Sequence, residues 1–180
     1  EISLGLVGSE MCIRDRDGNS QQQTVHLDIN EICVQGERFP IQETIPAELT
    51  ITNSGKGLLV IEGTAGVQAV IPCARCLEDV TYDFSLVFER RVDMKLSEEE
   101  RESAEEEYNF IEKDHLNVDT LVQNELLINW PIRVLCKEDC KGICSRCGAN
   151  LNHGECGCDR EALDPRMAAI KDIFSKFKEV

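Results

Sequence analysis

Six cysteines within 23 residues, Cys136, Cys140, Cys144, Cys147, Cys156 and Cys158, constrain this chain more than any other feature. A segment so rich in thiols and so poor in apolar mass cannot bury enough hydrocarbon to offset the ordering of its backbone. Thiolates converging on one ion supply what is missing, on the order of 10 kcal/mol or more. Cys144-x-x-Cys147-Gly148 has the form of a zinc knuckle. Its two-residue spacer lets both sulfurs meet one tetrahedral ion, and glycine permits the positive φ that turns backbone N–H groups toward sulfur. Cys156-x-Cys158 can close that site from the other side, with Gly157 easing the tighter one-residue spacing.

Cys73-x-x-Cys76 offers two ligands and needs two more. If the knuckle pairs with Cys156 and Cys158, then Cys136 and Cys140 are left over. The most economical assignment is one site of Cys73, Cys76, Cys136 and Cys140 and another of Cys144, Cys147, Cys156 and Cys158. The expected cofactor is Zn2+, one or two ions, with two favoured. His153, three residues before Cys156, is a rival ligand, whereas His26 and His115 have no acid or nucleophile pattern near them. Cys33 sits on a predicted strand without a ligand-spaced neighbour.

Metal is preferred to disulfides because of compartment. The chain begins with Glu1 and a short apolar run over residues 2–7 rather than a secretory signal, so a reducing cytoplasm is expected. No apolar run approaches the roughly 18 residues that span a bilayer, and a soluble protein without a membrane role is expected. Residues 1–16 end in Met11-Cys12-Ile13-Arg14-Asp15-Arg16, show no helix or strand period and resemble translated adaptor sequence. They are read as a non-native leader and set aside, with Cys12.

The fold class expected is α+β: an antiparallel β meander or small barrel followed by helices and a C-terminal cysteine-rich zinc-binding segment. Residues 17–92 form the β region with the first C-x-x-C. A strand is predicted over residues 24–33 from Val25, Leu27, Ile29 and Cys33. Pro40 and Pro46 bound a connection, and Asn53-Ser54-Gly55-Lys56-Gly57 turns a hairpin. A second turn is read at residues 62–66, and Tyr82, Phe84, Leu86 and Phe88 mark a further strand. Residues 93–116 are an acidic linker; residues 97–107 hold seven Glu and one Arg and read as a solvated loop or frayed helix. In residues 117–180, a helix over 116–130 is capped by Asn117 or Asp119 and ended by Pro131. A last helix opens at Asp164-Pro165 and carries an apolar stripe from Met167 to Phe177, packing on the β region.

Net charge is −15, distributed as −7 over residues 1–92, −7 over 93–116, −2 over 117–132 and +1 over 133–180. A four-thiolate zinc centre adds about two further negative charges. Such a surface repels phosphates, so a basic partner is the easier expectation. Phosphate-binding Gly loop, nucleophile elbow and His-Glu-x-x-His are all missing from the sequence, and four protein ligands leave zinc no open position. No enzyme and no small-molecule substrate are expected. Thiol-disulfide exchange wants an exposed cysteine of lowered pKa, whereas the acidic neighbours of Cys73 are expected to raise its pKa.

Taken together, Cys73-Ala74-Arg75-Cys76-Leu77-Glu78, Asn129-Trp130-Pro131 before Leu135-Cys136, Cys140-Lys141-Gly142-Ile143-Cys144, Cys147-Gly148-Ala149-Asn150-Leu151-Asn152 and Asp164-Pro165-Arg166 resemble the YceD family over roughly residues 24–177. The resemblance implies a role in large-subunit ribosomal RNA accumulation. The partner it suggests is a basic ribosomal protein or a large-subunit assembly intermediate. Direct nucleic-acid binding, as a zinc-ribbon module using Lys137, Lys141, Arg146 and Arg160, is the alternative.

Overall fold

The computed structural model describes residues 10–12, 20–55, 57–93, 95, 109–112 and 115–158. In chain order the elements are β1 (Glu10–Cys12), β2 (Ser20–Val25), β3 (Glu31–Val34), β4 (Glu37–Asn53), β5 (Leu58–Pro72), β6 (Asp79–Asp93), β7 (Ile111–Glu112), β8 (His115–Asn117) and α1 (Val118–Ile128). Period-two alternation decides the main sheet. Every odd-numbered residue of β6 is exposed, while Phe84, Leu86, Phe88 and Val92 are buried. On β5 the matching core residues are Leu59, Ile61, Ala65, Val67, Ala69 and Ile71. One face therefore packs and the other is solvated, as antiparallel sheets allow.

β4, β5 and β6 form the expected meander, with β5 and β6 paired from Leu58 opposite Asp93 to Pro72 opposite Asp79. β2 and β3 both pair with β4. The order β2-β4-β5-β6 leaves an open sheet, so among the described residues the barrel alternative is not formed. The β4–β5 hairpin turns where predicted. Ser54 N–H donates to the Leu58 carbonyl at 2.9 Å, and the Asn53 side chain accepts from Gly55 N–H at 3.0 Å.

Three local expectations are corrected. The single strand over 24–33 is two strands, β2 and β3, because residues 26–30 leave the sheet; Ile32 faces the core and Cys33 is exposed. Pro40 and Pro46 lie inside β4 rather than bounding a connection. Pro46 falls where β4 advances from Ile45 to Glu48 while β5 moves only from Gly66 to Thr64, and in such a bulge its missing N–H costs no ladder bond. Residues 62–66 are strand, not turn. A Cβ on Gly66 would lie 2.7 Å from Ile45 Cδ1, so this glycine relieves crowding rather than bending the chain.

α1 is shorter than the helix read from sequence. The Asn117 side chain caps it, accepting from Thr120 N–H at 3.0 Å. Val118, Leu121, Val122, Glu125 and Leu126 are buried, one stripe at three- and four-residue intervals. Glu125 is only 5% exposed and is neutralised by Arg90 of β6, whose Nε and Nη2 lie 2.7 and 2.6 Å from Oε1. Beyond the helix, Trp130 packs on Phe39 and Phe84 with ring centroids 5.0 and 5.4 Å apart. Ala74 N–H then donates to the Val134 carbonyl at 2.9 Å, tying the chain to the β5–β6 loop.

Residues 10–12, set aside on sequence grounds, form β1 antiparallel to β8, in a three-stranded sheet of order β1-β8-β7. Three residues are too few to display a period. The acidic stretch 97–107 and the helix expected after Asp164 lie outside the described residues. What is described is mostly antiparallel sheet with one short helix and the cysteine clusters toward the C-terminus. Among these residues no helix is long and apolar enough to cross a membrane.

Candidate metal centres

The β5–β6 loop builds half of the first centre. Pro72 ends β5, Cys73 N–H donates to the Glu78 carbonyl at 2.8 Å, and Leu77 N–H returns to the Cys73 carbonyl at 2.9 Å. Both thiols are thereby held on the buried side, Cys73 wholly and Cys76 at 5% exposure. The second half arrives after Val134. Cys136 Sγ lies 3.5 Å from Cys76 Sγ, and Cys140 Sγ lies 3.8 Å from Cys73 Sγ.

The second centre repeats the turn. Gly148 N–H donates to the Cys144 carbonyl at 2.9 Å, with Gly148 at φ +73°. Leu77 stands in the place of that glycine, at φ +64° and 64% exposed. A leucine there carries about 1–2 kcal/mol of left-handed strain, against about 0.5–1 kcal/mol that glycine loses in backbone entropy. Leu77→Gly should therefore stabilise the folded protein by a net of about 0.5–1 kcal/mol, read as a rise in Tm. A fall would mean that the exposed side chain holds contacts that matter more.

The eight cysteines fall into the two groups reasoned from spacing: Cys73, Cys76, Cys136 and Cys140, and Cys144, Cys147, Cys156 and Cys158, with the four Sγ atoms of each group within 4.8 Å of one another. Four sulfurs at about 2.3 Å from a tetrahedral zinc lie about 3.8 Å apart, and the 3.5 and 3.8 Å pairs of the first quartet stand close to that separation. Each group could hold one metal ion. His153, the rival ligand, instead places Nε2 2.6 Å from Glu78 Oε1. Its hydrogen bond, with a weaker one from the Cys76 thiol, holds the Glu78 carboxyl below its usual range.

Four thiols this close cannot all ionise without a cation. Burial pushes Cys73 up, but N–H groups of Cys76, Arg75 and Cys136 outweigh it and bring the thiol down to about 6. Burial, joined by the neighbouring thiols, sends Cys76 up to about 12. Cys136 also rises, first through burial, while the Asn152 side chain lowers Cys140. In the second quartet, N–H groups of Cys147 and Arg146 lower Cys144 to about 6, and the thiols of Cys147 and Cys156 raise Cys158 to about 12. The expectation that acidic neighbours raise Cys73 is thus overturned, because the knuckle's backbone donors act at shorter range. Its complete burial shields it from thiols and disulfides in solution.

A pH dependence follows for metal uptake. Cys76 and Cys136 are raised, so both keep their protons at neutral pH, and an entering ion must displace at least these two. Affinity at the first centre should therefore weaken by at least about 100-fold for each unit that pH falls near neutrality. Zinc competition assays at two neighbouring pH values measure it, and an affinity independent of pH would contradict the ligand assignment.

Spacing did not reveal the groups that support the sulfurs. Asn152 Nδ2 donates to Cys140 Sγ at 3.2 Å, and Arg75 Nη1 donates to the Cys140 carbonyl at 2.9 Å. A polar residue between the ligand pairs was the available signal for Asn152; none existed for Arg75. Cys33 joins neither group.

A family model described as large ribosomal RNA subunit accumulation protein YceD matches residues 61–174, a span containing both quartets. An uncharacterised protein of Mycobacterium tuberculosis is 25% identical over 127 residues, covering 71% of this chain and 60% of that protein. The chain therefore spans about 60% of the length of the mycobacterial relatives it matches first. The chloroplastic large ribosomal RNA subunit accumulation protein YCED homolog 1 of Arabidopsis thaliana is 34% identical over 68 residues, 38% of this chain and 21% of that protein. The uncharacterised protein YlbN of Bacillus subtilis is 23% identical over 123 residues, 64% of this chain and 66% of that protein. No solved structure matches.

Proposed function

Because the chain belongs to the YceD family of large ribosomal RNA subunit accumulation proteins, we propose that it is a non-catalytic, zinc-binding accessory factor in large-subunit ribosomal RNA accumulation and ribosome biogenesis. The observation that carries this reading is the family match over a span that includes all eight gathered cysteines. Zinc is the ion that four thiolates in tetrahedral reach suit best, and a site closed by four protein ligands is structural in character. Thiols that stay free to bind it call for a reducing cytoplasm.

The partner in this reading is a basic ribosomal protein or an assembly intermediate that contains one. Support comes from the solvated face of the sheet, where Glu48, Glu62, Asp79, Asp83, Glu89 and Asp93 are all exposed. Arg91 on the same face is already held by Glu89 at 2.9 Å. Such a field attracts cations and repels phosphates. The nucleic-acid reading keeps the exposed Lys137, Lys141 and Arg146, offset by Glu138, Asp139 and Glu155 in the same segment, while Arg160 lies outside the described residues.

Depletion of the protein in its host should lower mature large-subunit RNA relative to small-subunit RNA, and a Cys140→Ser copy should fail to restore it. Unchanged RNA ratios and subunit profiles after depletion would sink the proposal. A salt titration with large-subunit RNA separates the two readings: binding that weakens steeply with salt favours direct contact.

A further inference from the structure

We infer that the second centre controls the metal affinity of the first through residues 150–153, with Asn152 as the positioning residue that carries the coupling. This rests on the reading that both quartets bind metal. Residues 150–153 lie between the two ligand pairs of the second centre, after Cys147 and before Cys156, yet their polar groups point at the first. Asn152 Nδ2 donates to Cys140 Sγ at 3.2 Å, while Asn152 Oδ1 accepts from Lys141 N–H at 2.9 Å. Leu151 N–H donates to the Gly142 carbonyl at 2.8 Å, and Ile143 and Asn150 form an antiparallel bridge. His153 reaches Glu78, two residues beyond Cys76, at 2.6 Å.

The linker between the centres is clamped as well. Ile143 N–H donates to the Arg75 carbonyl at 3.1 Å. A Cβ on Gly142, at φ +75°, would come within 3.0 Å of that oxygen. A side chain here would crowd that oxygen and strain the backbone, so glycine suits the close approach of the linker to the β5–β6 loop.

The physical consequence concerns charge on sulfur. A thiolate that accepts an N–H bond is stabilised, and such outer donors tune metal sites by about 10- to 100-fold. Closure of the second quartet anchors residues 150–153 at both ends and so holds Asn152 in place. An open second quartet leaves them held by their hydrogen bonds alone, and Cys140 loses a donor fixed in place. Filling one centre therefore raises the affinity of the other, and linkage makes the effect reciprocal.

Zinc competition against a chromophoric chelator, with ions counted by native mass spectrometry on the full chain, tests this. The wild type should take up two ions. In Asn152→Ala, one of the two binding steps should weaken about tenfold. Cys147→Ser should keep one ion, weakened by a similar factor, and adding Asn152→Ala to it should cause no further loss. Asn152→Asp retains an acceptor for Lys141 N–H but no donor for sulfur, so it should bind no better than Asn152→Ala. Far-UV circular dichroism checks that each variant keeps its sheet. Two unchanged steps in Asn152→Ala, additive losses in the double variant, or full affinity in Asn152→Asp would overturn the coupling while leaving the metal reading intact. A wild type that takes up no zinc would overturn both.

Discussion

Stripping the metal from protein loaded at both quartets should release residues 131–158 while β4, β5 and β6 stay folded. The sheet holds its own core, including Leu49, Ile61, Leu86 and Val92, each 3% exposed or less. The cysteine-rich segment does not. Apart from its thiols, Val134 is its one buried hydrophobic side chain, and its regular pairing amounts to the Ile143–Asn150 bridge. Its remaining ties to the sheet are hydrogen bonds such as Ala74 to Val134 and Ile143 to Arg75, each worth about 1 kcal/mol net. Metal ligation is worth on the order of 10 kcal/mol or more. Trypsin should therefore cut rapidly at the exposed Lys137, Lys141 and Arg146 once a chelator has removed the ions, with the β-sheet signal in circular dichroism largely kept. An unchanged cleavage pattern after metal loss, verified by mass, would show that the segment folds on side-chain packing instead.

Gly63→Ala should destabilise the sheet by about 3 kcal/mol, at the upper end of overpacking costs. Gly63 sits opposite Leu49 on β4 and Phe88 on β6. A Cβ there would lie 2.6 Å from Leu49 Cδ2 and 2.7 Å from the Phe88 ring. These are side-chain ends, but Leu49 is 2% and Phe88 6% exposed, so neither can swing into solvent. A single added methyl thus displaces two core residues at once. Thermal unfolding should show a Tm lower by roughly 10 °C for a chain of this size. A loss under about 0.5 kcal/mol, the range of an ordinary surface change, would mean that the core repacks around the methyl.

Both expected results depend on features that the sequence shows to different degrees. The grouping of the cysteines was legible because a C-x-x-C spacer states its own geometry: two sulfurs separated by two residues can converge, and subtraction assigns the rest. The meander was legible from alternation in β6 and from the Asn53–Gly57 turn signal. Gly63 and Gly66 were misread because a glycine bends a chain or makes room for a neighbour, and only the neighbours tell which. Pro46 was misread for a related reason, since whether its missing N–H matters depends on whether a strand lies opposite.

Local chemistry, then, determined by itself which cysteines belong together, where the hairpin turns, and that Asn117 can cap a helix. Tertiary structure alone decided that a Cys136 N–H joins the local donors at Cys73, and that Asn152 of one centre serves a sulfur of the other. The division has a physical cause. Ligand spacing, periodicity and the N–H groups of a C-x-x-C turn act within a few residues, whereas a donor from a distant segment, such as Asn152 at Cys140, reaches a thiol only where the fold brings it within about 4 Å.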